Sequence, residues 1–334
     1  MSNTITRSSN LILKMPRIVF LPELSDTTGY GHFYRSVALM QMLETEFDTL
    51  LCLNRKFESK SPFPHRSFLY DVQYPGISEI MGQFDPINDV IVTDGYGVDA
   101  RFQLKLKEHG FRTVRVDDFG GEVYSDLFIN HAPNAKGSDY KSDRSTLLLG
   151  ADYALLRGEY LKRAEHPAPA VSKPFKKVLL MFGGADPLSL GIKFNQLLGS
   201  ESQVESVTTL GNYENNAIGN HYYKGNLSAE ELIAELESAD LVICAASTFF
   251  MELCCVGVPC LLVTFGDDQK GIADSSSKLG AAIYLGDMRQ DEVDLTSAIA
   301  RAELEAQTMI DAQKSLIDGK QAERIKKAFH ELCA

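Results

Sequence analysis

The sequence predicts an α/β protein built from two facing Rossmann-like domains, each with a parallel sheet, and a cleft between them. Its 334 residues exceed what a single hydrophobic core usually organises, which favours two domains. Short runs of β-branched residues alternate with longer segments of helical periodicity. The opening pattern of strand, glycine turn and helix, RIVFLPELSDTTGYGH, returns in the second half as KKVLLMFGGADP.

The first half contains continuous apolar runs, which predict buried parallel strands with helices between them. The predicted strands are residues 17–21, 49–53, 90–93 and 113–116, and the predicted helices are residues 32–43 and 98–109. These elements belong to an N-terminal domain that is predicted to span residues 15–166.

A proline-rich segment, PAPAVSKP at residues 167–174, predicts an extended linker, because it supports neither a helix nor a central strand. The alternation restarts in a C-terminal domain predicted at residues 175–334. Its strands are predicted at residues 177–181, 206–210, 241–244, 260–264 and 281–285, with helices beginning near Pro187, Ser228, Thr248 and Gln269. The last segment, from Asp291 onward, is helical by pattern, and the sequence does not decide which domain it packs on.

The composition restricts the ligands and the compartment. Acidic residues outnumber basic ones by 45 to 33, so the chain lacks the positive surface of proteins that bind nucleic acids or anionic membranes. We expect a small-molecule ligand whose phosphates are held locally by backbone N–H groups and helix ends. The six cysteines lack zinc-site spacing and predict buried free thiols. With no signal peptide and no apolar segment long enough for a bilayer, a soluble cytoplasmic protein is expected.

The residues that can carry chemistry fall in four clusters, each after a predicted strand. The first is Gly29-Tyr30-Gly31-His32, where bare backbone can approach a ligand at a helix N-terminus. The helix dipole disfavours a protonated imidazole there, so His32 is predicted to be neutral and able to accept a proton. A histidine that only satisfies local turn carbonyls is the other interpretation, and both stay open.

The second cluster is Gly183-Gly184-Ala185-Asp186-Pro187. The two glycines would let a diphosphate lie against bare backbone, and Asp186 with Pro187 predicts a helix N-cap followed by the first helical residue. The sequence leaves open whether Asp186 is a cap alone or also contacts a ligand.

The third cluster places the hydroxyls of Ser247 and Thr248 at a helix start, which predicts another anion-binding turn. Glu252 is predicted in the first turn of the same helix. Its carboxylate either interacts with the helix dipole or binds the vicinal hydroxyls of a ribose, and both interpretations stay open.

The fourth cluster, Thr93-Asp94-Gly95-Tyr96-Gly97, follows a strand of the first half. Ligands of open parallel sheets bind outside the carboxyl ends of the strands, so Asp94 and Tyr96 are predicted to face the cleft. Tyr96 could equally be a core or rim aromatic residue. Asp268 and Gln269 occupy the equivalent strand end of the second half, on the opposite side of the cleft.

Eight short motifs occur in a fixed order along most of the chain. They are GYGHFYR (29–35), TDGYG (93–97), VDD (116–118), SDLFIN (125–130), SDY (138–140), GADYALLRGEY (150–160), FGGADP (182–187) and ADLVICAASTFFMELCCVGVP (239–259). As an ordered set they resemble the PseG family, the UDP-sugar hydrolases of pseudaminic acid biosynthesis. That family shares the GT-B architecture of the MurG-like glycosyltransferases.

The resemblance implies a role for each cluster. His32 takes the position of the base that activates water, and Tyr96, the other implied catalytic residue, takes that of the tyrosine in the family's D-x-Y-G segment. The implied contacts of UDP are Gly183, Gly184, Asp186, Ser247, Thr248 and Glu252. The implied sugar contacts are Gly29, Gly31, Asp94, Asp268 and Gln269. Neither a metal nor a cofactor is implied.

The implied reaction is hydrolysis of UDP-2,4-diacetamido-2,4,6-trideoxy-β-L-altropyranose to the free sugar and UDP, with cleavage of the C1–O bond. Two departures from the family pattern leave the exact sugar open. Leu21 and Glu23 stand where the family has an arginine and an aspartate, and Asp268 replaces an asparagine. Two alternatives also stay open: a GT-B glycosyltransferase with an alcohol acceptor, and a non-catalytic nucleotide-sugar sensor.

Overall fold

The computed structural model describes residues 16–23, 31–60, 67–70, 75–95, 97–142, 144–183, 186–225 and 227–334. Three predicted site residues, Gly29, Tyr96 and Gly184, lie outside this part of the chain. The described residues form two sheets of seven strands each, with helices packed on their faces.

The N-terminal sheet is entirely parallel. In chain order the strands of this half are β1 (Arg17–Pro22), β2 (Thr49–Asn54), β3 (Ser67–Tyr70), β4 (Asp89–Asp94), β5 (Arg112–Val116), β6 (Gly121–Glu122), β7 (Leu127–Asn130), β8 (Tyr140–Lys141) and β9 (Thr146–Leu149). The sheet has the order β3-β2-β1-β4-β5-β7-β9, and β6 pairs separately with β8. Strand β4 at its centre is buried along its whole length, as the continuous apolar run predicted.

Three helices accompany these strands: α1 (Gly31–Leu43), α2 (Ile77–Gln83) and α3 (Ala100–Glu108). The two predicted helices are therefore confirmed as α1 and α3. Helix α3 begins one residue after Asp99, whose carboxylate accepts a hydrogen bond from the Phe102 N–H at 2.7 Å. This cap satisfies a backbone donor that the helix itself cannot pair.

The C-terminal half repeats the alternation of strands and helices. Helix α4 (Gly158–Ala164) leads out of the N-terminal sheet, and the elements that follow are β10 (Lys177–Met181), α5 (Leu190–Leu198), β11 (Ser206–Leu210), β12 (Asn216–Ile218), β13 (His221–Lys224), α6 (Ala229–Ser238), β14 (Leu241–Ala245), α7 (Thr248–Val256), β15 (Cys260–Thr264), α8 (Lys270–Lys278), β16 (Ile283–Asp287), α9 (Leu295–Leu316) and α10 (Gln321–Cys333). The sheet order is β12-β13-β11-β10-β14-β15-β16, and only β12 runs antiparallel to its neighbour among these described strands.

The predicted strand at residues 281–285 begins later than expected. Gly280, with φ +73°, ends helix α8 in a Schellman turn, in which the N–H of Ala281 bonds the carbonyl of Ser276 at 2.9 Å. Ala281 therefore completes the end of the helix, and β16 starts only at Ile283.

The start of helix α5 also differs from the prediction. Asp186 and Pro187 are not the N-cap and first helical residue, because α5 begins at Leu190. Asp186 has φ +33° and still caps the helix from outside: its two carboxylate oxygens accept the N–H groups of Leu190 and Gly191, each at 2.8 Å. The predicted helix starts at Ser228 and Thr248 are confirmed.

Contacts between the two halves involve the connecting helix α4 and the last helix of the chain. Helix α4 packs on α7, while the last helix, α10, returns to pack on α1 of the N-terminal half. Phe329 of α10 meets Phe47, just beyond α1, with ring centres 6.2 Å apart. Helix α9 stays with α7, β15 and β16. The structure thus divides the C-terminal segment, whose destination the sequence left open, between the two halves.

All six cysteines are free, and five of them are buried, which confirms the predicted thiols. Burial raises the pKa of the Cys244 thiol far above its ordinary value. Within the described ranges, no helix is both long and apolar enough to cross a bilayer.

Candidate active site

The first part of the site is a histidine held against a buried carboxylate. Helix α1 begins at Gly31, so His32 lies in its first turn, with only 6% of its surface exposed. Its Nδ1 atom lies 2.8 Å from Oδ1 of Asp94, the last residue of the central strand β4. The strand end therefore carries the acid, and the neighbouring helix start carries the imidazole.

Arg35 fixes the charge of that acid. Its Nε and Nη2 donate to the two oxygens of Asp94 at 2.9 and 2.6 Å. Burial acts to raise the pKa of Asp94, but the charge and hydrogen bonds of Arg35 outweigh it, and the pKa falls well below its usual range. An ionised carboxylate only accepts, so the 2.8 Å hydrogen bond requires the proton on Nδ1 of His32. Nη2 of Arg35, which only donates, lies 3.1 Å from the same nitrogen and bonds Asp94 rather than the ring in this arrangement. Nε2 is then the basic nitrogen of the ring.

Two further titratable groups, Asp118 and His131, lie near Arg35. Its Nη1 atom donates to Asp118, whose pKa is lowered by this charge against the effect of burial. His131 lies nearby and is 2% exposed; burial, followed by the charge of Arg35, lowers its pKa to about 4. The Leu155 N–H donates to Nδ1 of His131 at 3.2 Å. His131 is therefore a neutral acceptor inside the protein.

The turn from β14 to α7 supplies the predicted hydroxyls of the C-terminal half. Ser247 is the N-cap of α7 with extended backbone, and its hydroxyl forms no capping bond to the described backbone. Thr248 is the first residue of the helix. A helix start offers N–H donors and the positive end of the dipole, which suits a phosphate.

Glu252 lies one turn further along α7, as the fifth residue rather than in the first turn as predicted. It is 9% exposed, and the guanidinium of Arg157 grips both its oxygens, with Nε–Oε1 at 2.8 Å and Nη2–Oε2 at 3.0 Å. Burial raises the pKa of Glu252, and Arg157 opposes this rise. Positions 248 and 252 share a helix face, so the acid lies on the same side as the Thr248 hydroxyl.

Two of the predicted glycines have the space that a ligand needs. A Cβ atom added to Gly31 or Gly183 would meet no described atom within 4 Å, and Gly183 has φ +85°. By contrast, the Asp186 carboxylate is occupied at the start of α5, which favours its interpretation as a cap.

Asp268 and Gln269 follow strand β15 in a single helical turn. Gln269 folds back so that its Oε1 accepts the Phe265 N–H at 2.8 Å. Asp268 is exposed, and its pKa is raised by desolvation and further by the charge of Asp118, while His32 opposes the rise. The strand end of the second half therefore lies near enough to Asp118 and His32 of the first half for their charges to affect the pKa of Asp268.

No protein-family model matches the chain. It is 20% identical over 294 residues to the uncharacterized protein MJ1062 of Methanocaldococcus jannaschii, across 82% of this chain and 61% of that protein. It is 25% identical over 215 residues to the spore coat polysaccharide biosynthesis protein SpsG of Bacillus subtilis, across 59% of this chain and 62% of SpsG. The chain thus spans about three fifths of the length of these relatives.

Solved structures show the architecture. MurG of Acinetobacter baumannii superposes with a TM-score of 0.63 at 13% identity, over 95% of this chain and 99% of MurG. The spinosyn rhamnosyltransferase SpnG, in complex with thymidine diphosphate, gives 0.64 at 13% identity, over 94% and 100%. The chain has the GT-B fold. The predicted pair of parallel α/β domains is therefore confirmed.

Within this GT-B fold Asp94 lies behind the imidazole of His32. Asp94 is 0% exposed, and Arg35 and His32 occupy both its oxygens. A carboxylate so placed orients His32, and the sugar contact predicted for Asp94 stays a prediction. The ligand contacts predicted for His32, Gly31, Gly183, Asp186, Ser247, Thr248, Glu252, Asp268 and Gln269 stay predictions, as do those of the residues outside the described ranges.

The sequence pattern predicted no role for four residues of this region, namely Arg35, Asp118, His131 and Arg157. Each is a buried or half-buried charged or titratable group; Arg35 is the fifth residue of α1, whereas the other three follow a strand or precede a helix. Three of them lie inside motifs that carried the resemblance, namely GYGHFYR, VDD and GADYALLRGEY. Their presence in those motifs was the available signal, although it did not reveal their partners.

Proposed function

We propose that the protein hydrolyses a UDP-linked sugar in the cleft of its GT-B fold, with His32 as the base that activates water. The observation that carries this proposal is the hydrogen bond between Nδ1 of His32 and the ionised Asp94, which leaves Nε2 basic. The similarity to SpsG, a polysaccharide biosynthesis protein, and the thymidine diphosphate bound to SpnG support a nucleotide-sugar substrate.

The substrate proposed is UDP-2,4-diacetamido-2,4,6-trideoxy-β-L-altropyranose. This choice rests on the resemblance of the ordered motifs to the PseG family. Leu21, one departure from the family pattern, is a fully buried core residue of β1, so its side chain cannot recognise a sugar. Glu23 accepts the Gly97 N–H at 2.9 Å and thereby fixes the segment beside Tyr96.

In the proposed reaction, Nε2 of His32 takes a proton from water while the water oxygen attacks C1 of the sugar. The C1–O bond breaks, and UDP leaves with the bonding electron pair. The imidazolium that forms is stabilised by the carboxylate of Asp94. A placed base contributes about 10²–10⁴-fold to such a step.

The leaving diphosphate is proposed to bind the backbone at Gly183 and the α7 start at Ser247 and Thr248. Negative charge grows on the leaving oxygen in the transition state, and a preorganised N–H donor stabilises such charge by roughly 3–4 kcal/mol. These groups supply that stabilisation from the C-terminal half, while the base comes from the N-terminal half.

A GT-B glycosyltransferase is the second candidate function. SpnG, which superposes on this chain, is named a rhamnosyltransferase, and MurG superposes on it almost equally well. The same histidine would then deprotonate an acceptor hydroxyl instead of water. Only the nature of the attacking oxygen separates the two candidates.

The experiment that separates them is proton NMR of the UDP-sugar with purified protein in buffer without any acceptor alcohol. The proposal predicts equal amounts of UDP and free sugar. In ¹⁸O-labelled water it also predicts UDP without ¹⁸O, as measured by mass spectrometry, because C1–O cleavage leaves the original oxygen on the phosphate. Release of UDP only after an alcohol acceptor is added would instead establish a transferase. Tight binding with no product in either case would indicate a non-catalytic sensor.

A further inference from the structure

The chain connects its two halves through an arginine that grips the predicted ribose acid. Arg157 is the N-cap of α4, in the segment that leads out of the N-terminal sheet, and Glu252 belongs to α7 of the C-terminal half. The two side chains form a bidentate ion pair, with Nε–Oε1 at 2.8 Å and Nη2–Oε2 at 3.0 Å. The side chain of Arg157 is 19% exposed and that of Glu252 is 12% exposed. The pair therefore bridges elements that lie 95 residues apart in the sequence.

Arg157 is itself held in place. Its guanidinium carbon lies 4.9 Å from the ring centre of Tyr160, which is fully buried one turn along α4. A planar guanidinium stacked on an aromatic ring has little freedom to reorient, so the carboxylate that it grips is fixed as well. Lysine could supply the charge at this position but not the planar fork.

The ion pair with Arg157 leaves lone pairs of the Glu252 carboxylate available to a ligand. A carboxylate offers about four lone-pair directions, and the guanidinium fork takes one on each oxygen. The remaining direction on each oxygen suits two neighbouring hydroxyl donors. Because Glu252 shares a helix face with Thr248, one turn from the predicted diphosphate position, a ribose is the diol within reach.

We propose that Arg157 is a positioning residue, which orients Glu252 to accept both hydroxyls of the nucleotide ribose. The connection between the two halves thereby sets a preference for ribonucleotides over 2′-deoxyribonucleotides. This inference rests on the proposed function, since it takes the nucleotide to bind at the start of α7.

A matched control lies on the same helix. Arg163 of α4 donates from Nε to Oε1 of Glu237 at 2.6 Å, so it forms another arginine–glutamate pair between α4 and a helix of the C-terminal half. That glutamate lies at the far end of α6 and is not among the predicted ligand contacts. Arg163→Lys replaces the guanidinium of an arginine–glutamate pair in the same way as Arg157→Lys, but it leaves the partner of Glu252 unchanged.

The test measures the affinity of UDP and of 2′-deoxy-UDP by calorimetry for the full chain and its variants. For the unsubstituted protein we expect UDP to bind about tenfold or more tightly than 2′-deoxy-UDP, the value of one lost hydrogen bond to a charged acceptor. In Arg157→Lys and Arg157→Gln the ratio is expected to fall to about threefold or less. Arg163→Lys should keep the full ratio, and Glu252→Gln should lose it.

The ratio of the two affinities separates positioning from a structural role. If the Arg157 variants bind both nucleotides more weakly but with the original ratio, Arg157 only supports the fold and the inference is overturned. An unchanged ratio at unchanged affinity overturns it as well. If Arg157→Gln does not fold, Arg157→Lys still gives the answer, because it keeps a positive charge beside Glu252. Failure of the unsubstituted protein to bind UDP would instead reject the proposed function.

Discussion

At the scale of single residues, Arg35 decides what His32 can do. Its guanidinium lies between Asp94 and Asp118 and bonds both carboxylates inside the protein. Without this charge, burial would favour a protonated Asp94, which could donate a proton to Nδ1 of His32 and leave the wrong nitrogen basic. The chemistry proposed for Nε2 therefore depends on a residue that contacts no substrate.

The substitution Asp94→Asn tests this dependence. The asparagine amide can donate to Nδ1 of His32 and so stabilise the tautomer whose Nε2 already carries a proton. We expect kcat for the UDP-sugar to fall by about 10²–10⁴-fold, the whole contribution of a general base. The substitution also leaves Arg35 with less counter-charge, so the free energy of unfolding should fall by about 3 kcal/mol or more.

Asp118→Asn is the matched control, because Asp118 also pairs with Arg35 but makes no described hydrogen bond to His32. We expect Asp118→Asn to lower the free energy of unfolding by a comparable amount and to lower kcat far less than Asp94→Asn does. Equal losses of kcat in both variants, measured at a temperature where both are folded, would mean that Asp94 acts only through stability.

The sequence predicted His32 and the clusters at the strand ends, because a strand followed by glycines and a helix start is a local pattern. It did not predict the partners of those residues. Arg35 and Asp94 lie 59 residues apart, and Arg157 and Glu252 lie 95 apart. Such pairs exist only once the sheet brings the strand ends together, so no local pattern contains them. For the same reason the sequence did not predict that Asp94 lies behind the histidine.

At the scale of elements, the start of α5 shows a cap that comes from outside the helix. Asp186 has left-handed backbone and reaches forward to the first two N–H groups of the helix. Ser189, directly before the helix, also has left-handed backbone and forms no capping bond to the described chain. Asp186, four residues before the first residue of the helix, therefore replaces the usual N-cap.

Asp186→Ala should lower the free energy of unfolding by about 1 kcal/mol, the typical value of a lost cap, as measured by urea denaturation. Asp186→Asn keeps an acceptor and tolerates left-handed backbone, so it should lose less. Wild-type stability of Asp186→Ala would show that the cap contributes nothing. A large loss of UDP affinity in Asp186→Asn at unchanged stability would restore the ligand contact that was predicted for this residue.

The predicted strands match the observed ones at β10 and β15, where a run of buried aliphatic residues makes the pattern unambiguous. Strands β3, β7 and β9, of four residues each, were not among the predicted strands. The sequence analysis also missed β12 and β13, which are exposed or half-buried strands near a sheet edge and lack the continuous apolar pattern.

At the scale of the whole molecule, His131 makes stability depend on pH. It stays neutral in the folded protein with a pKa lowered to about 4, whereas an unfolded histidine titrates near pH 6.5. Between these values the unfolded chain binds more protons than the folded protein. Stability is therefore fully present above about pH 6.5 and is lost as the pH falls towards 4.

We expect the free energy of unfolding to fall by on the order of 2 kcal/mol between pH 7 and 5 on account of this residue. His131→Gln keeps an acceptor for the Leu155 N–H but cannot titrate, so its stability should change less over the same interval. His109→Gln, which alters an exposed histidine, should follow the unsubstituted protein. Parallel pH profiles for all three proteins would rule out His131 as the cause.

The two halves of the GT-B fold meet at one proposed reaction centre, with the base on α1 and the nucleotide on α7. The most direct test is the variant His32→Asn, assayed for UDP binding by calorimetry and for turnover of the UDP-sugar by NMR, with His109→Asn as the control. The account predicts unchanged UDP affinity and at least about a hundredfold lower kcat in His32→Asn, and unchanged values of both in the control. Undiminished turnover in His32→Asn would contradict it.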